Sequence, residues 1–120
     1  MQSKKVRLPT LALDLQFDDT IDVKDWTLSR PRVRRLILAS LPGACRTAEI
    51  TVRLVGRREG RLLNKTYRHK DYATNILTFP YQEPPALRTD LVLCLPVLQA
   101  EARQQKKSVE HHCAHMLVHG

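Results

Sequence analysis

The sequence predicts an α+β fold: a single domain at residues 10–120, with helices packed on a mixed four-stranded sheet, behind a basic N-terminal arm at residues 1–9. Three observations predict it. A chain of 120 residues fits one domain with one modest core. Two stretches alternate apolar and polar residues with a period of two, as half-buried strands do, while others gather apolar residues on one helical face. The resulting order, βαβαββαα, suits strands of both directions covered by helices.

Taken in order, TLALDLQF at 10–17 sets Leu11, Leu13, Leu15 and Phe17 on one side and Ala12, Asp14 and Gln16 on the other. Ser29 is an N-cap and Pro31 a first-turn residue for a helix whose Val33, Leu36, Ile37 and Leu41 share a face, the opposite face being basic. AEITVRLV at 48–55 is a second alternating strand, with Ile50, Val52 and Leu54 inward. Residues 57–68, RREGRLLNKTYR, are expected to form a short helix interrupted by Gly60, and the polar RHKDYAT a loop. NILTFPY at 75–81 is a third strand ended by Pro80, and QEPPALRT at 82–89 a Pro-rich connector. TDLVLCL at 89–95 lacks alternation, which predicts a strand buried on both faces. Pro96 opens a helix ending near Lys107, and Ser108 caps a last helix that runs through the histidines.

Twenty Lys and Arg against twelve Asp and Glu give a net charge of +8, which favours polyanionic partners, RNA or DNA first, and counts against acidic ones. The same charge also serves simply to keep a domain in solution. Apolar runs such as LVLCLPVL at 91–98 fall far short of the ~20 residues a membrane helix needs, and MQSKKVRLP lacks the apolar region of a secretory signal, so the expected location is cytoplasmic. Cys45, Cys94 and Cys113 are odd in number and widely spaced, with no CxxC pair, and are expected to be reduced thiols. Cys94, inside an apolar run, reads as a small core residue.

Four of the five histidines lie between His111 and His119. On a helix, His111, His115 and His119 form one stripe, with His112 off to one side. Imidazoles four residues apart can converge on one tetrahedral zinc ion. A lone HxxxH with neither a general-base Glu nor a third ligand is weak evidence for a metal site and fits surface or core-edge histidines better.

The ending AHMLVHG, residues 114–120, resembles the start of the signature AHxxVHGxLHLxGYDH of the YbeY family of bacterial endoribonucleases, which are rRNA maturation factors. Three more stretches are similar, in order: LDLQ at 13–16, LNKTYRHKDYATNILTFPY at 63–81, and DLVLC at 90–94. The resemblance implies a zincin-like YbeY fold over the domain at 10–120. It implies a zinc-dependent, single-strand-specific endoribonuclease acting in 16S rRNA 3′-end maturation and ribosome quality control. Ribosomal RNA and the small ribosomal subunit are its implied partners. In that family three histidines of HGxLHLxGYDH hold one zinc ion, and only the first has a counterpart here, His119; the others would stand at the fourth and tenth positions beyond it. His115 belongs to the motif without being a ligand and is expected either to pack at the core edge or to support the metal site from behind. The sequence therefore reads as a C-terminally truncated member that is inactive as it stands. A further departure is Thr89, where the family usually has Gly.

Arg68 matches the family's functionally important arginine. A guanidinium there can bind phosphate bidentately and stabilise charge developing on phosphorus, or can merely contact neighbouring Asp71. Lys70, Thr74 and Asn75 are candidate substrate-binding residues; Thr74 and Asn75 can equally well shape the loop. Two other functions stay open: a metal-dependent peptidase, against which stands Gly120 where zinc proteases carry Glu, and a non-catalytic ribosome- or RNA-binding module.

Overall fold

The structure is a computed structural model that describes residues 9–119, except for the side chain of His119. The expected arm at 1–9 lies, but for Pro9, outside the described residues. Strands β1 (Thr10–Phe17), β2 (Thr47–Val55), β3 (Ile76–Gln82) and β4 (Ala86–Cys94) form one sheet in the order β1-β2-β4-β3. β1 and β4 lie parallel to β2, and β3 runs antiparallel to β4, so the sheet is mixed. Helices α1 (Arg30–Ser40), α2 (Arg57–Arg68), α3 (Leu95–Gln104) and α4 (Val109–His119) complete the predicted βαβαββαα order, with a short 3-10 turn at Val23–Asp25.

Strand periodicity divides the core. Ile50, Val52 and Leu54 of β2, with Leu91 and Leu93 of β4, face α1 and α4 through Val33, Ile37, Cys113 and Leu117. Val55, Val92 and Cys94 point to the opposite face, where Leu63 of α2 packs on them. β4 is thus buried on both sides, as its unbroken apolar run predicts. All three cysteines are buried free thiols, and burial pushes Cys113 up to about 12.

Several boundaries depart from expectation. Gly60 does not interrupt α2. It is buried against β4, where an added Cβ would stand 3.4 Å from the Cys94 sulfur, so the small residue serves close helix–sheet approach. Pro80 does not end β3. The strand is at the sheet edge, where a missing N–H is tolerated, and the pairing shifts by a bulge between Pro80 and Gln82. The expected connector at 82–89 shrinks to three residues because Ala86–Thr89 extend β4 beside Thr47–Ile50 of β2. α3 ends at Gln104, before the predicted Lys107, and Ser108 caps α4 by accepting from the His111 backbone N–H at 3.0 Å.

Arginines reach both outer strands. Arg30 and Arg34 of α1 donate to the Leu13 and Leu11 carbonyls of β1, and Arg68 donates to the Thr78 carbonyl of β3. Arg32 also pairs with Glu110, joining α1 to α4.

Asp18 ties the end of β1 to the start of α2, accepting the Gly56 and Thr20 backbone N–H groups at 2.7 Å each. Burial alone would raise this carboxyl, but hydrogen bonds from the Thr20 hydroxyl and the two amides outweigh it and hold it below the ordinary value of 3.8. A group with a depressed folded pKa stabilises the fold above its unfolded value and loses that contribution as pH falls through the folded one. The parent should therefore lose more melting temperature than Asp18→Asn as pH drops through and below 3.8. Thermal melts along an acid series check this; parallel curves would remove Asp18 from the acid response.

Candidate functional site

α2 ends on Arg68 because His69 adopts a left-handed conformation, φ 60°, that turns the chain back while its N–H caps the Lys65 carbonyl. Asn64, only 2% exposed, then holds the returning loop by donating to the Tyr72 carbonyl at 2.8 Å. Arg68 is carried onto β3. Its Nη2 donates to the Thr78 carbonyl at 2.8 Å and its Nη1 to the Tyr67 carbonyl at 3.3 Å, with the guanidinium 5.0 Å from the centre of the Phe79 ring. Contact with Asp71 is not what holds Arg68: Asp71 takes a two-point hydrogen bond from Arg61, at 2.7 and 3.0 Å.

Thr78 lies where two parts of the fold meet. Its carbonyl takes Arg68, and the residue also lines a groove of about 260 Å³ bounded by Thr89 and Leu91 on the sheet and by Leu117 and Val118 in the last turn of α4. An arginine from one face of the sheet and the end of the histidine helix from the other thus approach the same edge-strand residue.

The remaining sequence candidates separate. Lys70 is exposed and Thr74 half-buried. Asn75 is turned inward: its Nδ2 donates to both carboxylate oxygens of Glu101 at 3.3 Å, and its Oδ1 accepts from the Ile76 N–H at 2.7 Å. The loop-shaping alternative therefore describes its contacts in this structure. His111 and His115 are exposed on α4, and the side chain of His119 lies outside the described residues. Among the described residues, no group of three or more His, Cys, Asp or Glu could hold a metal ion.

His112, which the sequence left without a role, is 4% exposed and shares Glu101 with Asn75, its Nε2 standing 3.0 Å from Oε1. Its Nδ1 has no hydrogen-bond partner among the described residues. Helical geometry accounts for its place. Each residue turns about 100°, so positions four apart drift by about 40°, and across the supposed stripe the drift brings position 119 closer in angle to 112 than to 111. The inward direction of α4 is set by His112, Cys113 and Leu117, not by the 111/115 pair.

Fold and site define a basic α+β domain that presents a guanidinium and a histidine-bearing helix at one edge of its sheet. The sequence profile of Endoribonuclease YbeY matches residues 18–120. A protein named Endoribonuclease YbeY from Acidovorax sp. (strain JS42) is 52% identical over 115 residues, covering 94% of this chain and 74% of its own. Its namesake from Methylibium petroleiphilum is 50% identical over 117 residues, covering 98% and 75%. The solution structure of TM1509 from Thermotoga maritima superposes with a TM-score of 0.61 at 19% identity, covering 91% of this chain and 69% of that one, a likeness of fold. The chain belongs to the YbeY endoribonuclease family. Among the described residues, no helix is long and apolar enough to cross a membrane.

Proposed function

We propose that this domain cleaves single-stranded RNA with the help of zinc, and that its work is 16S rRNA 3′-end maturation and ribosome quality control, with ribosomal RNA and the small subunit as partners. The observation that carries this reading is the approach of Arg68 and the last turn of α4 to Thr78. A guanidinium has five N–H donors in a fixed fork, and Arg68 gives two hydrogen bonds to backbone carbonyls, leaving donors for phosphate oxygens. The excess of positive charge draws an RNA backbone toward the site. Lys70 and Thr74 would contact that backbone from the loop. Asn75 would act indirectly, by fixing the loop through Glu101.

Zinc, when bound, would supply Lewis acidity beside the scissile phosphate. His119 is the residue we assign to it, with His115 in support. The described residues offer no three-ligand set.

Zinc titration by calorimetry, paired with cleavage assays on RNA and peptide, tests the reading. The 120-residue chain should bind zinc weakly, and the same chain lengthened by an LHLxGYDH-type segment should bind it tightly and cut single-stranded RNA. Submicromolar, one-to-one binding by the 120-residue chain that vanishes in His115→Ala would instead make the i, i+4 pair a site. A lengthened protein that holds zinc and cuts peptides but no RNA would overturn the nuclease assignment.

A further inference from the structure

We infer that the hollow between α2 and strands β3 and β4, beside Arg68, seats one nucleobase of a single-stranded RNA. The inference rests on the RNA reading above and adds the part of the substrate that this surface would recognise.

The chain has two Phe, three Tyr and one Trp, and three of these rings, Tyr67, Phe79 and Tyr81, gather around this hollow. Tyr67 and Tyr81 are 58% and 62% exposed, which core packing does not explain. Tyr67 meets Phe79 edge to face, centroids 5.3 Å apart and planes at 72°. Arg68 lies 5.0 Å from the Phe79 centroid, and Arg88 5.6 Å from that of Tyr81. Exposed aromatic faces alternating with guanidinium planes are how proteins hold unpaired bases, because every base has a π-face to stack and a phosphate beside it. The hollow measures about 530 Å³, within the range of ~300–1,000 Å³ typical of small-ligand sites.

Its charges favour a base over a phosphate. Arg53 is committed to Glu59 through two hydrogen bonds of 2.6 and 2.9 Å, so that pair is internally neutralised. The Asp90 carboxylate, next to the Tyr81 hydroxyl, also lines the hollow. A carboxylate repels a phosphate but accepts hydrogen bonds from the amino group of adenine, cytosine or guanine. Arg68 is then left to the phosphate that follows the seated base, which couples base stacking to the bond assigned for cleavage.

Anisotropy titrations with a single-stranded oligoadenylate and with a length-matched abasic ribose-phosphate strand test the seat. Tyr67→Ala and, separately, Tyr81→Ala should each weaken oligoadenylate binding by about 5- to 150-fold, the usual range for one lost stacking partner. Neither change should alter affinity for the abasic strand, and Tyr67→Phe should stay within about twofold of the parent, because the ring and not the hydroxyl is at work. Both tyrosines are exposed, so circular dichroism should show intact folds. If the parent binds oligoadenylate and both alanine variants match it within twofold, the seat is wrong while the RNA reading stands. Equal losses on the abasic strand would likewise overturn it. A parent that binds no single-stranded RNA overturns the seat and the RNA reading together.

Discussion

Arg68→Ala should slow single-turnover RNA cleavage by about 10²–10³, the effect of losing one preorganised donor, worth about 2.7–4 kcal/mol, to charge that develops in the transition state. The measurement belongs in the lengthened, zinc-binding form, at saturating enzyme, so that binding and chemistry separate. RNA affinity should change far less than rate if, as proposed, the rest of the basic surface also holds the ground-state phosphate. Arg68→Lys should recover little: an ammonium cannot serve the Thr78 carbonyl and a phosphate with one planar fork. Arg35→Ala is a suitable control, since Arg35 is exposed on α1. Arg34, although exposed, is engaged with the Leu11 carbonyl, so its loss would disturb β1 as well as the surface charge. A rate for Arg68→Ala within twofold of the parent, with fold and zinc content intact, would remove Arg68 from the mechanism.

Glu101→Ala should be the most damaging single change to stability among the polar residues near the site. It strips the acceptor from His112 Nε2, in a residue 4% exposed, and from Asn75 Nδ2 at once. A buried polar group left without its partner costs about 1–3 kcal/mol. A loss near 3 kcal/mol, or roughly 10 °C or more in melting temperature, is expected. The double variant Glu101→Met/His112→Phe should recover part of it, because removing both partners leaves only Asn75 Nδ2 without its acceptor. Thermal melts of the parent, Glu101→Met, His112→Phe and the double variant close the cycle. Additive losses would mean that the two side chains do not work as a pair.

How much of this was legible in the sequence follows from the range of each interaction. Leu11 and Leu13 of β1, and Ile50, Val52 and Leu54 of β2, declare their faces through alternation, and Ser29 and Ser108 cap their helices through contacts three residues away. Arg68 was found through a continuous stretch, residues 63–81, that is similar to a known family. The Asn75–Glu101–His112 cluster spans separations of 26 and 11 residues across a loop and two helices, and no local pattern announces it. His112 sits among four histidines, and only the packing of α4 tells the buried one from its exposed neighbours. The aromatic hollow is invisible for the same reason: residues 67, 79, 81 and 90 meet only after β3 pairs with β4. The early start of β4 was hidden by Pro84 and Pro85, whose turn signal masked the pairing of Ala86–Thr89 with β2.

The arginines that reach the outer strands bear on how the molecule behaves among its own copies. An open sheet margin offers unpaired carbonyls to any passing strand, and two such margins let copies join edge to edge into ribbons. Here Leu11 and Leu13 on one margin and Thr78 on the other are already occupied by guanidinium groups. A strand arriving from a second molecule would have to displace a charged donor and would meet like charge on a protein carrying +8 overall. The side chain we assign to phosphate chemistry, Arg68, thus also covers the margin of β3 against an incoming strand.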